Sequence, residues 1–532
     1  MMKKAIKKLL AALLAVAMVC AMAIPAFAYN TEENLNGTHG YSAFQIFKGV
    51  ISKDNPTLSG VDWGQNITEP DIFLANLKND PTIGEKFETA ATAQEVLAVI
   101  SQWSNSDDNS IAFARFVCSY LYPDANANPK PVYTDHTGGF NIQEPGYYLI
   151  VDTTYFNPGD FYHAYNSFFL LNVPQAPYVV LVNHKVVKPY VEKEVYDNQD
   201  GTNEAGFGSS ADHAINEEFQ FKLTATLPAS PDRAYDYYKE YAVLFNDTLS
   251  NGITYDRLDS VVIKSNGIPY DITNDSSMYE VDDSRLESDH YFVVGIPDVK
   301  ACGAGLNLND GATITVTYTA HLNDNAAVNS TSGSTDNKNK VQLQYSNNPR
   351  NSAYWGFTPE SEVRVYTYQL NNTKYRDDDT TGNELAGAGF RLYSDKDCTE
   401  EQEIKLKKNT TDGTYSPYFG AGAGDEMFSD EHGQFNVKGL DAGTYYLKET
   451  TTPEGFTPCS VIPPVTITAN HNGNHVELDS SKLSTTIINK KAGGITLPST
   501  GGIGTTIFYV VGGGLMVAAI VLLVTKKRME NK

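Results

Sequence analysis

No CxxC pair occurs in this chain of 532 residues, which holds only five cysteines. A dense disulfide framework is therefore excluded as its main reinforcement. The ten histidines are scattered without the spacing of zinc sites, so no metal and no other cofactor is expected. Positive charge is also short: 40 Lys and Arg against 64 Asp and Glu leave a formal charge of −24. So acidic a surface repels phosphate, which excludes nucleic acid as a partner class. GxSxG, HExxH and Cys/His constellations are missing as well, and the chain is not expected to be an enzyme.

What the chain does have is 33 Tyr and 24 Phe, with plentiful Thr, Val, Asn and Gly. That composition favours β-rich domains joined by turns. Two apolar runs stand at the ends. MMKKAIKKLLAALLAVAMVCAMAIPAFA has the basic start, apolar middle and small residues of a secretory signal peptide, cleaved after Ala28 (residues 1–28). At the other end, Thr505 to Thr525 is uncharged and long enough to cross a bilayer as a helix. Lys526, Lys527 and Arg528 follow, which places that flank in the cytoplasm. Just outside the expected span sits ITLPSTGG, and the sorting region is taken as 495–532.

Between the ends lie about 470 residues, enough for three or four domains. Region 29–186 mixes strands such as YSAFQIFKG and GYYLIVD with two helical patterns. In ATAQEVLAVISQW, Thr92 and Glu95 have capping-box spacing, and IAFARFVCSYL repeats apolar residues at helical intervals. Regions 187–361 and 362–494 read as strand and turn throughout. The expected class is mainly β: three tandem Ig-like sandwich domains, the first with helical insertions. Cys398 and Cys459 fall in the third region and could pair in an exported protein, whereas Cys118 and Cys302 lie in different regions.

Residues of one parity share a face of a strand, and several apolar faces here contain one polar intruder. Lys193 stands with Val191 and Val195, Asp247 with Phe245 and Leu249, and Asn339 with Val341 and Leu343; Asn337 shares the last face as a rival. In the third region Lys374 stands with Tyr368 and Leu370, Glu449 with Tyr445 and Leu447, and Asn489 with Ile487. An ionised amine in an apolar site must be paired or lose its proton. The plain reading is a buried Lys–carboxylate pair, or strand ends that reach water. The covalent reading makes the neutral amine a nucleophile towards the Asn amide, with Asp247 or Glu449 kept protonated as proton shuttle. The product would be the amide crosslinks Lys193–Asn339 and Lys374–Asn489. The first region gives a weaker echo, with Lys48 beside Phe44 and Ile46, and Asp152 beside Ile150. Its acceptor stays open between Asn172 and Asn183.

The order LPSTG, apolar span and basic tail resembles the cell-wall sorting signal of Gram-positive surface proteins. GTYYLKETTTPEGF looks like the E-box of Gram-positive pilins. The Lys, Glu, Asn order resembles their collagen-adhesin B-type (CnaB) domains, and NDTLSNGITY with NKNKVQLQYSNNP resembles the second domain of sortase-assembled backbone pilins. The resemblance implies cleavage within Leu497, Pro498, Ser499, Thr500 and Gly501, between Thr500 and Gly501, and transfer of the Thr carboxyl to an amine. It implies a major pilin at the cell surface, held in a cell-wall-anchored pilus. Its partners would be identical subunits, pilin-class and housekeeping sortases, minor pilins and peptidoglycan. The acceptor amine would be Lys185, in YVVLVNHKVVKPYVEKEV, with Lys188 as the alternative. Asn183 and His184 depart from the usual Tyr-Pro before that lysine. An ancillary or basal pilin, or a wall-anchored adhesin binding a host ligand, is the alternative function.

Overall fold

In the computed structural model, the described residues are 40–530. Exceptions are 53–54, 105–106, 124–126, 136–138, 154–167, 174–175, 177, 182–187, 199–204, 231–232, 332–336, 351–354, 460 and 494–502. The signal peptide expected at 1–28, Lys185, Asn183 and the LPSTG motif at 497–501 all lie outside them.

The first region forms a sheet in the order Asn55–Trp63, Tyr41–Ser52, Gly146–Asp152, Phe168–Val173, with Tyr133–Asp135 paired to Tyr41–Ser52. The two helical patterns become Ala93–Ile100 and Asp108–Leu121, and together with Pro70–Lys78, which the sequence reading did not single out, they build the core against that sheet. The capping box forms: Thr92 Oγ1 accepts from the Glu95 N–H, and the Glu95 carboxylate accepts from the Thr92 N–H. Phe113, Val117 and Leu121 turn inward along the last helix.

The middle region is a two-sheet sandwich. One sheet runs Ile268–Asp271, Ile253–Ser265, Ala312–Leu322, Glu218–Leu227, Tyr190–Asp197, Gly206–Gly208. The other runs Ser210–Asp212, Ser361–Tyr366, Asn337–Ser346, Val243–Leu249, Tyr291–Ile296, Glu280–Asp282, with Trp355–Phe357 added to Asn337–Ser346. Every second residue of Glu218–Leu227 and Asn337–Ser346 is buried, so the period of two in the sequence becomes one face of a shared core. Strand Ser361–Tyr366 pairs within this sheet, next to Asn337–Ser346.

The third region is a second sandwich. One sheet runs Leu406–Lys408, Tyr415–Pro417, Val437–Leu440, Tyr368–Arg376, Ser484–Asn489, and its first and last strands in sequence pair in parallel. The facing sheet runs Glu403–Ile404, Gly389–Tyr393, Gly443–Thr451, Val465–Ile467. Near the C-terminus the expected span falls on the 28-residue helix Ile503–Glu530. Of this helix the side chains at 511–527 are described. Among the described residues no helix is long and apolar enough to cross a membrane.

Candidate functional sites

The strand Tyr190–Asp197 buries Val191, Lys193, Val195 and Asp197 on one face. Val243–Leu249 and Asn337–Ser346, neighbours in the opposite sheet, bury Asp247 and Asn339. Strand twist and the sandwich spacing bring the three together. Lys193 Nζ donates to Asp247 Oδ2, and both side chains are sealed from water. A fourth member comes from Ala312–Leu322, in the lysine's own sheet. Tyr318 Oη accepts from Lys193 Nζ at 3.0 Å and from Asn339 Nδ2 at 2.5 Å, and its hydroxyl donates to Asp247 Oδ1 at 3.2 Å. Phe221 and Tyr318 place their rings 5.2 Å from the amine.

Burial governs the electrostatics of this cluster. It lowers the Lys193 pKa from 10.5 to about 8, although the Asp247 charge works the other way. It raises the Asp247 carboxyl above its ordinary value, against the pull of Lys193. Burial first, then the Asp247 charge, also holds the Tyr318 phenol protonated. Both partners of the pair are thus pushed towards the neutral forms that amide formation requires. The Asn339 Oδ1 atom is buried without a hydrogen-bond partner among the described residues.

Asn337, the rival acceptor, is committed elsewhere. Its Oδ1 accepts from the Ala327 N–H at 2.8 Å, and its Nδ2 donates to the carbonyls of Ala327 and Val365 at 3.0 Å each. It closes a loop instead of facing the amine.

In the third domain Lys374 is fully buried and Asn489 is 1% exposed. They lie on the parallel pair Tyr368–Arg376 and Ser484–Asn489, with Lys374 opposite Ile487 and Arg376 opposite Asn489. Glu449 reaches them from the facing sheet. Its Oε1 accepts from Asn489 Nδ2 at 2.6 Å, and its Oε2 accepts from the Cys459 N–H at 2.8 Å. Lys374 Nζ donates to the carbonyls of Tyr375 and Ile487, at 3.1 and 3.3 Å. Burial brings its pKa down from 10.5 to about 8, with the Glu449 charge opposing. The acid and amide are joined here, and the amine waits on main-chain oxygens close by. Among the described residues Asn489 Oδ1 is again buried without a partner.

Two expectations are corrected. Lys48 and Asp152 do not meet: Tyr41 is opposite Asp152 and Lys48 opposite Gly146, so they stand roughly 20 Å apart along the sheet. The parity argument fails because a bulge between Gln45 and Phe47 shifts the register, burying both Ile46 and Phe47 and turning Lys48 outwards. Lys48 is half exposed and pairs loosely with Asp62 at 3.7 Å. The backbone carbonyl of buried Asp152 instead accepts from Arg350 of the middle domain at 2.8 Å. Asn172, opposite Tyr147 on the next strand, is half-buried. Cys398 and Cys459 are free thiols, as are Cys118 and Cys302. Cys398 sits in a tight turn with φ 49, and the Cys459 thiol lies against the Val461 carbonyl.

Tyr318 was not singled out in the sequence. Its parity with Val316 and Ala320 marks it only as a core aromatic, and nothing local distinguishes it from Tyr345. Lys188, beside buried Pro189, is half-buried where the middle domain begins.

Comparison with known proteins gives two family matches. Residues 371–482 match the SpaA prealbumin-like fold domain, and residues 489–531 match the LPXTG cell wall anchor motif. The comparison with curated proteins found no match. Similar solved structures include a three-domain backbone pilin of Streptococcus pyogenes, at 17% identity over 86% of this chain and 97% of that one, TM-score 0.48. A C-terminal fragment of a Streptococcus agalactiae major pilin matches at 20% identity over 57% and 99%, TM-score 0.41. The full-length major pilin SpaD of Corynebacterium diphtheriae matches at 17% over 70% and 87%, TM-score 0.38. At these scores the structural likeness carries no functional argument. The two family matches do: the chain is an exported, cell-wall-anchored surface protein with an LPXTG anchor and a SpaA-type prealbumin-like domain.

Proposed function

We propose that this chain is the backbone subunit of a covalently polymerised pilus, reinforced by self-formed amide crosslinks. The observation that carries it is the pair of Lys, acid and Asn groupings, each with its lysine and asparagine buried, in successive sandwiches ahead of an LPXTG anchor. In each, the neutral Lys amine attacks Cγ of the Asn amide. The acid gives its proton to the amide during attack and takes one from the lysine nitrogen. The C–N bond to ammonia breaks, ammonia leaves, and the acid ends protonated as it began. The bonds formed are Lys193–Asn339 and Lys374–Asn489. A half-turn of the Asn489 amide about its Cβ–Cγ bond would set the unpartnered Oδ1 on Glu449, the arrangement that polarises the carbonyl; the same turn of Asn339 would set its Oδ1 on the Tyr318 hydroxyl, which also touches Asp247.

Between subunits, a sortase would cut Thr500 from Gly501 and pass the Thr carboxyl to Lys185 of the next copy, or to Lys188. Force applied along the polymer then runs through amides, bypassing much of the noncovalent strand pairing. The chain catalyses only its own single-turnover crosslinks and is otherwise a substrate.

The test is expression of the full chain with its pilin sortase, followed by detergent-boiled wall extracts of wild type, Lys185→Ala and Lys188→Ala. A ladder lost only in Lys185→Ala supports the backbone reading and that acceptor. Loss only in Lys188→Ala keeps the function and moves the acceptor. A monomer band throughout, with an active sortase, would replace this reading with a basal subunit or wall-anchored adhesin.

A further inference from the structure

Where the middle domain meets the third, a second cluster of ligating groups is assembled from distant parts of the chain. Asp197 ends the strand Tyr190–Asp197, and Asp212 ends Ser210–Asp212. His471 comes from the third domain's hairpin of Ala469–Asn472 with His475–Leu478, 259 residues from Asp212. One ligand atom from each of the three lies within 4.8 Å of the other two. Asp212 is fully buried, Asp197 is buried, and the His471 side chain is 12% exposed.

The hydrogen-bond pattern fixes which ring nitrogen faces the carboxylates. Ser210 Oγ donates its proton to the Gly473 carbonyl at 2.8 Å, so its oxygen is an acceptor towards His471 Nδ1 at 2.6 Å. With Nδ1 carrying the proton, a neutral imidazole presents the Nε2 lone pair to Asp212 Oδ1 at 3.2 Å. Two lone pairs that close repel unless a positive charge lies between them. The other Asp212 oxygen, Oδ2, is buried and makes no hydrogen bond among the described residues. This is the arrangement of a metal-binding histidine, held through its far nitrogen by a neighbouring polar group while the near one ligates.

We propose that Asp197, Asp212 and His471 bind a divalent cation of the zinc class, pinning the third domain to the middle one. One imidazole nitrogen and two carboxylate oxygens suit zinc, with the slightly exposed His471 side leaving room for water as a fourth ligand. The cation crosslinks the joint between two sandwiches, where neither amide bond reaches. Sequence spacing hides the site because its ligands come from two domains.

The test uses purified full chain, stripped with chelator, titrated with zinc chloride and counted for bound metal after desalting. Wild type should hold one zinc per chain. Asp212→Asn and His471→Gln should weaken binding at least about 100-fold, and Ser210→Ala, which removes no ligand but loses the far-nitrogen contact and the bond to the Gly473 carbonyl, about 10- to 100-fold. Binding well below one per chain at millimolar zinc, or an Asp212→Asn affinity equal to wild type, would overturn the site. Should a variant lose its β-sheet circular dichroism, the wild-type chain decides alone. A zinc-induced, chelator-reversed rise in its unfolding midpoint supports the site, and an unchanged midpoint rejects it.

Discussion

Lys193 and Lys374 are both closed off from water and both have their pKa lowered to about 8, yet they meet different partners. In the middle domain the amine stands on one sheet while the acid and the amide stand side by side on the other. In the third domain amine and amide share one sheet, on its first and last strands, and only the acid crosses over. Strands within a sheet lie about 5 Å apart, whereas packed sheets are about 10 Å apart. A middle bond would therefore have to bridge the longer gap, and Tyr318 fills it, touching amine, acid and amide at once. The third site needs no such filler. What the two share is that the acid faces the lysine from the opposite sheet, so packing of the sandwich is what would switch the chemistry on.

The most damaging way to break the comparison is to remove an acid. Asp247→Ala leaves Lys193 alone among Phe221, Tyr318 and the core, and breaking a buried pair in this way costs about 3–5 kcal/mol. The middle bond should not form, so the intact mass should fall below the mass calculated from the variant's sequence by one ammonia instead of two, while the third bond still forms. Peptide mapping that finds Lys193 joined to Asn339 in this variant would show that the acid is dispensable. Tyr318→Phe asks the subtler question. The ring still packs, but three hydrogen bonds go, and the middle bond should form at least about tenfold more slowly after refolding while the third keeps its rate. Equal rates for the middle bond in both chains would reduce Tyr318 to a packing residue.

Face parity carried most of this into view from the sequence. Lys193, Asp247, Asn339, Lys374 and Asn489 were all placed on buried faces, because regular antiparallel strands keep a period of two and one polar intruder stands out. The same logic failed at Lys48, where a bulge between Gln45 and Phe47 reset the parity, and bulges leave little trace in a single sequence. It also could not rank Asn337 against Asn339, since both point inwards; only the position of Ala327 and Val365 shows that Asn337 is already spent. Which sheet a strand joins is decided by topology, so the cross-sheet and in-sheet geometries were out of reach. Tyr318 was hidden for the plainest reason: a buried tyrosine is common in such cores. Spacing likewise could not expose Cys398 and Cys459 as free thiols, because their separation depends on turns formed far apart.

Asn337→Ala separates architecture from chemistry at that rival position. The change leaves the Ala327 N–H and the Val365 carbonyl without their partner, at about 1–3 kcal/mol for a buried group. Middle-domain stability should fall by that amount in denaturant, with the ammonia loss unchanged. Disappearance of the crosslink would instead make Asn337 the acceptor.

The smallest effect, and the one that sets the two lysines apart most finely, is a pH dependence in chains that cannot close the bonds. In Asn489→Ala, Lys374 stays a free amine with its folded pKa near 8 against an ordinary 10.5. Between those values the unfolded chain binds more protons than the folded one, so stability rises with pH across this window. Below about 8 both states are protonated, the slope vanishes and the domain sits at its lower stability. In Asn339→Ala the Lys193 window gives a rise of the same sign, but Asp247 adds a second slope of opposite sign. Its folded pKa is raised, so stability present in acid is lost as pH climbs from 3.8 through the raised value. Denaturant titrations across the range should therefore show a high-pH rise in both variants and a low-pH fall specific to the middle-domain one. In wild type, where both lysine nitrogens would be amides, the high-pH rise should vanish. A rise of equal size in wild type would mean that the lysines are still amines, and that the two domains are held by ion pairs instead of bonds.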